Sequence, residues 1–360
     1  MTDTDPDADA YFSSYGDLEV HKLMIQDSAR TETYKNAILS SRSVFEGKTV
    51  LDVGAGTGIL SIFCAQAGAT KVFAVEASKT AEMARQLVAE NHFSDTIEVV
   101  YSKVEDVTLP YPVDIIVSEW MGFYMLHESM LDSVIVARDK FLKPDGLMFP
   151  SHCTLYASPC ALPDLYSEWD NVCGVKMRSF ANALRNLYLN RPKIMSVQVE
   201  NMLAHNVSPI VELNLKSCLP QQLDTITAQR YLTIVEKSGI YQGVCFWFDV
   251  QFPTSGTTLS TSPSSPITHW KQTIIVLPTQ IEVEEGDAVM FNVQFSRNSP
   301  NSRHYSINLE MLDSEHEAHP NPCDCNQTKC KIIKTFLSVT KNISDDDDSS
   351  IDDQNEDVMS

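Results

Sequence analysis

Long apolar runs are absent from this chain of 360 residues. No stretch of 18 or more apolar residues appears, so we expect no transmembrane helix and no contact with a membrane. The first thirty residues lack both a basic start and an apolar core, so we expect no secretory signal. The nine cysteines show no disulfide-rich spacing, and unsecreted thiols stay reduced. We therefore expect a protein of the nucleus and cytoplasm.

Basic charge is also scarce. The chain has 27 Lys and Arg against 48 Asp and Glu, a net charge of -21. Residues 1–10 and 343–360 hold 4 + 8 = 12 of these acids and no Lys or Arg, which leaves about -9 for the remainder. We expect both ends to be disordered. Phosphate binding needs basic surface, so this charge argues against direct binding of nucleic acid and favours basic partners.

Strand and helix patterns alternate in residues 11–150. A helical pattern from Tyr11 to Leu39 comes first. Alternation of this kind predicts βαβ units and a parallel, Rossmann-like α/β sheet preceded by helices. The predicted strands are Thr49 to Val53, Lys71 to Val75, Ile97 to Tyr101, Val113 to Val117 and Leu147 to Phe149; the predicted helices are Ile59 to Ala67, Lys79 to Asn91 and Met130 to Leu142.

Short β-like runs dominate after Pro150. They predict an all-β second domain, a sandwich or barrel, over residues 151–342. Residues 163–190 have a helical pattern instead, which indicates an inserted arm. The predicted strands are Val197 to Val199, Ile210 to Leu215, Gly243 to Phe252, Lys271 to Leu277, Ala288 to Phe295 and His304 to Met311.

A glycine loop follows the first predicted strand. Its glycines, Gly54, Gly56 and Gly58, allow positive φ and close approach of the backbone to a ligand. Glu76 ends the second strand, where a carboxylate can accept both ribose hydroxyls of a nucleoside. The spacing G-x-G-x-G differs from the G-x-G-x-x-G of dinucleotide folds. It favours a nucleoside without pyrophosphate, of which S-adenosylmethionine is the common one.

Two carboxylates lie close together after the fourth predicted strand. Glu119 and Glu128 flank an aromatic, glycine-containing turn between apolar segments. Buried carboxylates cost several kcal/mol unless a cation or hydrogen-bond donors meet them. The loop therefore predicts a binding site for a cation.

With this loop added, the chain resembles the type I protein arginine methyltransferases from Tyr11 to about Met311. The run Leu51 to Ala69 is nearest to the isoform 6 branch. The resemblance implies a seven-stranded Rossmann-like sheet, a β-barrel domain, and a homodimer in which the arm docks on the partner's nucleotide domain. It is carried by the Tyr11 to Tyr15 block with His21, Met24, Asp27, Arg30 and Tyr34, by the glycine loop, Val75 to Ala77, Lys103 to Glu105, the two-glutamate loop, Asp145 to Pro150, and Thr268 to Gln272.

The resemblance assigns Glu119 and Glu128 to binding and activating a substrate guanidinium. Two carboxylates can hold it by charge-assisted hydrogen bonds and concentrate its charge on one nitrogen, which leaves lone-pair density on the other. His269 would pair with Asp27, joining the two domains and helping to remove a proton. Trp270 and Tyr15 would position the substrate. Arg30 would bind the cofactor's carboxylate, His21 and Met24 would line the same region, and Val104 and Glu105 would contact the adenine.

Met24 and Met130 would crowd the site, so that the second methyl group goes to the same nitrogen. The expected product is asymmetric dimethylarginine on basic proteins such as histones, in a chromatin-regulating role. Two alternatives stay open. One is a corepressor or scaffold with weak activity, and the other is a small-molecule or nucleic-acid methyltransferase.

A cysteine cluster departs from the family. Cys323, Cys325 and Cys330 form a C-x-C-x4-C pattern near the end of the chain. A structural zinc needs four ligands, and no second cysteine set follows. His304, His316 and His319 precede the cluster. We expect free thiols in a loop and no metal, with zinc as the alternative.

Overall fold

A Rossmann-like unit forms the first half of the protein in the computed structural model, which describes residues 15–299 and 303–348. The expected α/β fold with a parallel sheet is confirmed. Its elements are α1 (Leu18–Gln26), α2 (Ser28–Ser40), α3 (Arg42–Phe45), β1 (Thr49–Val53), α4 (Ile59–Gln66), β2 (Lys71–Glu76), α5 (Thr80–Glu90), β3 (Ile97–Tyr101), β4 (Val113–Val117), α6 (Met130–Phe141) and β5 (Leu142–Phe149).

The parallel sheet has the order β3-β2-β1-β4-β5. Strands β1, β2 and β4 are apolar on both faces because helices cover the sheet on each side, and their residues are almost all buried. The order reverses between β1 and β4. Ligands of open parallel sheets bind at the carboxyl ends of the strands beside such a reversal. The glycine loop and the two-glutamate loop both begin there.

Within residues 15–299 and 303–348 the parallel sheet has five strands, where seven were expected. After β5 the chain runs directly into β6 (His152–Cys160), which pairs with strands of the second domain. Among the described residues, β4 is the strand that pairs with β5 in this sheet.

The helical pattern predicted from Tyr11 to Leu39 is divided at Asp27 into α1 and α2. Asp27 has extended φ and ψ, and its carboxylate accepts a hydrogen bond from the Arg30 backbone N–H, which caps α2. The aromatic block predicted at residues 11–14 and the acidic stretch 1–10 lie outside the described residues.

The second domain is antiparallel, as expected, and its strands form two sheets instead of one continuously paired barrel. One sheet has the order β7-β12-β10-β6-β8 with β11 beside β10, and the other has the order β14-β13-β9. The remaining elements are α7 (Arg178–Asn186), β7 (Lys193–Met195), β8 (Pro209–Asn214), α8 (Gln221–Asp224), β9 (Thr225–Ile234), β10 (Gly239–Gln251), β11 (Thr258–Ser260), β12 (Gln272–Val283), β13 (Ala288–Arg297), β14 (Tyr305–Leu312) and α9 (Thr328–Asp348).

Two segments of this half differ from expectation, and the arm agrees with it. Residues Val197 to Val199 form no strand; a 3-10 turn begins at Val199, and the nearby strand is β7. The arm at 163–190 holds α7, as predicted, with only Ala181 buried on that helix. Helix α9 continues to Asp348, six residues into the tail expected to be disordered, and residues 349–360 lie outside the described part. No helix in residues 15–299 and 303–348 is long and apolar enough to cross a membrane.

Candidate functional site

The glycine loop between β1 and α4 forms the floor of the candidate site. Gly54, Gly56 and Gly58 all have positive φ, from +55° to +81°. A Cβ on Gly54 would lie 2.1 Å from the methyl carbon of Met130, and one on Gly56 would lie 3.3 Å from the His21 ring. The loop is therefore a cradle that side chains would fill, which fits a closely held nucleoside.

Glu76 and His21 border this cradle. The Glu76 carboxylate accepts hydrogen bonds from the backbone N–H of Gly56 (2.8 Å) and of Ser78 (2.7 Å), which fix it at the end of β2. The Nε2 atom of His21 lies 2.8 Å from the Tyr15 carbonyl and 3.1 Å from the Thr80 hydroxyl. These contacts hold the start of α1 over the glycine loop.

The two-glutamate loop is tightly wound. Tyr124, Met125 and Glu128 have positive φ, an uncommon conformation outside glycine. A Cβ on Gly122 would lie 2.1 Å from the His127 carbonyl oxygen, so this turn needs glycine. The backbone N–H of Glu128 donates to the Arg303 carbonyl at 2.8 Å. A strained loop held in place by its surroundings is typical of a functional site.

Glu119 binds a guanidinium of the protein itself. Its Oε2 atom accepts from Nε of Arg30 at 2.8 Å and lies 2.7 Å from an Nη atom of the same side chain. Both side chains are more than nine-tenths buried. Among residues 15–299 and 303–348, the one hydrogen bond that its Oε1 atom accepts comes from the Met121 backbone N–H, at 3.2 Å. Arg30 was expected to bind a cofactor carboxylate, and here it neutralises Glu119 at the edge of the same cavity.

Glu128 accepts a 2.5 Å hydrogen bond from the Tyr15 hydroxyl. Its backbone carbonyl accepts from Nη1 of Arg303 at 2.7 Å. The preceding residue, His127, does not add positive charge near neutral pH, because burial and the neighbouring His304 lower its pKa to about 4. The loop therefore presents its carboxylates without a protonated imidazole from His127.

His269 and Asp27 connect the two domains as expected. Asp27 Oδ2 lies 2.7 Å from the His269 Nδ1 atom and accepts the His269 backbone N–H at 2.8 Å. Burial alone would raise the pKa of Asp27, but the hydrogen bonds from His269 and from the Arg30 N–H hold it below its usual range. Trp270 donates its indole N–H to the Met121 carbonyl at 2.8 Å, which ties the second domain to the two-glutamate loop.

One cavity of about 240 Å³ collects most of the predicted site. Two of the sixteen predicted residues do not line it. Asp27 acts through His269. Gly58, at the start of α4, faces Ala84 of α5, whose Cβ would lie 3.6 Å from a Cβ added at Gly58. The fourteen that line it are Tyr15, His21, Met24, Arg30, Gly54, Gly56, Glu76, Val104, Glu105, Glu119, Glu128, Met130, His269 and Trp270.

Sequence reasoning missed Arg303 and Asp52. Arg303 lines the cavity but lies in an irregular segment before β14, with no local motif around it. Asp52 stands in the glycine motif itself, fully buried in β1, and accepts from the Ser61 hydroxyl at 2.6 Å. Burial raises its pKa to about 7. An acid within an apolar strand was the signal that could have identified it.

A metal site was not expected. Cys323, Cys325 and Cys330 are free cysteines, as predicted, but Cys330 lies in α9 and not in a loop. All three are buried, and His319, one of the three preceding histidines, lies beside them. The chain folds back between His319 and Cys323, which brings the imidazole onto the thiols.

Family comparisons agree with this geometry. Residues 151–314 match the arginine methyltransferase oligomerization subdomain, and residues 50–146 match a methyltransferase domain. The cluster of His319, Cys323, Cys325 and Cys330 lies beyond both matches.

Individual relatives cover most of the chain. A probable protein arginine N-methyltransferase 6 of Arabidopsis thaliana is 40% identical over 84% of this chain and 78% of its own length. The protein arginine N-methyltransferase 6 of Danio rerio is 41% identical over 86% of this chain and 90% of its own. A chain of the Trypanosoma brucei PRMT1 enzyme-prozyme heterotetrameric complex with AdoHcy superposes with a TM-score of 0.74 at 33% identity, over 85% of this chain and 98% of that one. The chain belongs to the protein arginine N-methyltransferase family.

Proposed function

We propose that this type I protein arginine methyltransferase holds the substrate guanidinium between Glu119 and Glu128. S-adenosylmethionine, bound over the glycine loop, supplies the methyl group. The products are ω-N-monomethylarginine and asymmetric dimethylarginine. The observation that carries the proposal is that both carboxylates open onto the same cavity as the glycine cradle and Glu76.

Glu119 has room for a second guanidinium. A carboxylate offers about four lone-pair positions. Arg30 uses the two on Oε2, and the Met121 N–H uses one on Oε1, which leaves one acceptor position on Oε1. A substrate N–H can take that position while Arg30 stays bound. Arg30 then also orients Glu119 and offsets the cost of burying it.

The pair of acids activates a poor nucleophile. A protonated guanidinium is delocalised, and hydrogen bonds from two of its nitrogens to carboxylates concentrate positive charge there. The third nitrogen then keeps more lone-pair density toward the reacting carbon. The carboxylates also reduce the repulsion between a cationic substrate and a cationic methyl donor.

His269 would accept or pass on the proton that methylation releases. With Nδ1 donating to Asp27 at 2.7 Å, the neutral ring keeps its acceptor on Nε2. The tautomer is thus set by the carboxylate. His269 lines the cavity, which supports a role in a proton pathway leading out of the site.

Met24 and Met130 would set the product. Both line the cavity, and the Met130 methyl group lies directly over Gly54. The two methionine side chains leave room for a second methyl group on the nitrogen that is already methylated. They restrict the rotation of the guanidinium that would bring its other terminal nitrogen to the methyl donor. Replacing Met130 by a smaller residue should change the ratio of mono- to dimethylated product.

The proposed substrates are basic proteins, including histones and Arg/Gly-rich proteins, methylated in the nucleus and cytoplasm with effects on transcription. The net charge of -21 supports basic partners. All nine cysteines are free of disulfides, which is typical of a reducing compartment.

The oligomerization subdomain supports assembly into a homodimer through the arm. Phe180 on α7 is 49% exposed, and Leu187, which follows the last residue of α7, is 56% exposed. Val175, which precedes the helix, is also 56% exposed. We propose that this apolar face docks on the Rossmann-like unit of a second copy. Light scattering of Phe180→Ser and Leu187→Ser should show a shift from dimer to monomer. An unchanged mass would exclude this face.

A matched peptide pair tests the activity. The chain is incubated with methyl-labelled S-adenosylmethionine and an Arg/Gly-rich peptide, or the same peptide with Lys at every Arg. Label should enter only the arginine peptide, because an ammonium lacks the planar set of N–H donors that two carboxylates need. Equal labelling of both peptides would contradict the proposal.

A further inference from the structure

Four side chains with ligand atoms converge near the end of the second domain. His319, Cys323, Cys325 and Cys330 each offer one ligand atom, and these atoms all lie within 4.8 Å of one another. The three cysteines are 1–5% exposed. None of the four lines the cavity of the methyl-transfer site. The cluster is thus separate from the chemistry described above.

Hydrogen bonding alone does not explain the arrangement. The three sulfur atoms lie 3.4, 3.4 and 3.3 Å from the same nitrogen, Nδ1 of His319. One imidazole lone pair accepts one S–H, so at most one of the three thiols is satisfied by it. A cation at the centre of the cluster would contact all three sulfur atoms and this nitrogen at once.

The spacing fits that of a tetrahedral metal ion. Zinc–sulfur bonds of about 2.3 Å and zinc–nitrogen bonds of about 2.0–2.1 Å place tetrahedral sulfur and nitrogen ligands about 3.6 Å apart. The observed separations of 3.3–3.4 Å are within a few tenths of this value.

The imidazole is also held in the tautomer that a metal requires. Its Nε2 atom lies 2.9 Å from the Ser314 carbonyl oxygen. A carbonyl only accepts, so Nε2 carries the proton and Nδ1 presents a lone pair to the thiols. The Gln327 amide donates to the same carbonyl at 3.0 Å, which fixes its position. Metal-binding histidines commonly have this outer hydrogen bond.

The cluster joins the C-terminal segment to the three-stranded sheet. The cysteines pack against Leu232 and Ile234 of β9 and against Ala288 of β13. The Asn326 backbone N–H donates to the Gly286 carbonyl at 2.8 Å. Cys330 lies in the first turn of α9. A bound ion would therefore anchor the start of that helix to the β domain.

We propose that His319, Cys323, Cys325 and Cys330 bind one Zn²⁺ in a closed, structural site. Three thiolates and one imidazole are a typical zinc ligand set, and four protein ligands leave no open position for a substrate. Binding releases the three thiol protons to solvent, and the occupied centre has a net charge of -1. The ion would stabilise the C-terminal segment without taking part in methyl transfer.

Metal analysis of the full chain, purified without affinity tag or chelator, tests the proposal. We expect about one zinc per chain. Cys325→Ser should lose most of it. The control is Cys173→Ser, which removes an exposed cysteine of the arm and should keep the metal. His319→Cys should also keep it, because four thiolates bind zinc as well.

Cobalt provides a second test that does not depend on variants folding. Zinc is removed from the unmodified chain, and Co²⁺ is added while visible absorption is followed. Intense d–d bands and sulfur charge-transfer bands at one equivalent would support tetrahedral thiolate ligation. The proposal would be overturned if the chain is purified without zinc and gives only the weak spectrum of octahedral Co²⁺. It would also be overturned by a disulfide between two of these cysteines in the freshly purified chain.

Discussion

Replacement of Glu128 by Gln should slow methyl transfer strongly while leaving the cofactor site intact. The substituted amide oxygen can still accept the 2.5 Å hydrogen bond from Tyr15, and the backbone bonds to Arg303 do not involve the side chain. The change therefore removes the charge while these contacts can remain. Loss of one preorganised charge-assisted partner costs about 2.7–4 kcal/mol, and each 1.4 kcal/mol is about tenfold, so kcat should fall about 100- to 1,000-fold.

The assay is transfer of labelled methyl groups to an Arg/Gly-rich peptide, with S-adenosylhomocysteine affinity measured by calorimetry on the same preparations. Glu90→Gln is the matched control, because Glu90 is exposed at the end of α5 and should leave both quantities unchanged. A Glu128→Gln enzyme with normal kcat would refute the assigned role. Loss of cofactor binding would mean that Glu128 organises the cofactor site instead.

Three further variants test the surrounding structure. Asp27→Asn keeps the helix cap but weakens the hydrogen bond to His269. The free energy of unfolding at pH 7 should therefore fall by about 1–2 kcal/mol, and the melting temperature should fall with it. Because the pKa of Asp27 is lowered on folding, this difference should shrink as the pH falls below about 4; a constant difference would contradict it. The folded chain keeps the Asp52 carboxyl protonated up to a pKa of about 7, whereas the unfolded chain releases that proton near pH 4. The unmodified chain should therefore lose stability relative to Asp52→Asn as the pH rises from about 4 to 7. Equal pH slopes of the two melting temperatures would exclude this. Gly54→Ala should weaken S-adenosylhomocysteine binding in calorimetry and cost about 1–2 kcal/mol of stability, because φ is +71° and the new methyl displaces Met130; unchanged affinity would contradict the cradle.

The parallel sheet could be predicted from sequence because its strands are short, apolar and separated by regular helices. The predicted and observed bounds of β1, β3 and β4 agree, and α6 differs by one residue at its end. In contrast, β9 was missed. Its residues alternate between buried and exposed, and the exposed ones are polar, so the segment has no apolar run to detect. The break at Asp27 was missed because a cap in the middle of a helical pattern does not interrupt its periodicity.

The parts of the candidate site that could be predicted are those in which the functional residues lie next to one another in a single sequence motif, as in the glycine loop. The pairing of Arg30 with Glu119 was not, since the two residues are 89 positions apart and either could have bound a different partner. Arg303 was missed, and His319 was named without being singled out from His304 and His316, for a related reason. Their roles depend on where the chain folds back, which local spacing does not encode.

The identity of the methylated amino acid tests the central claim most directly. After reaction of an Arg/Gly-rich protein with labelled S-adenosylmethionine, the product is hydrolysed to amino acids and separated against standards. A guanidinium held by Glu119 and Glu128, with Met24 and Met130 beside it, predicts ω-N-monomethylarginine followed by asymmetric dimethylarginine. Symmetric dimethylarginine, monomethylarginine alone, or label on another amino acid would contradict it.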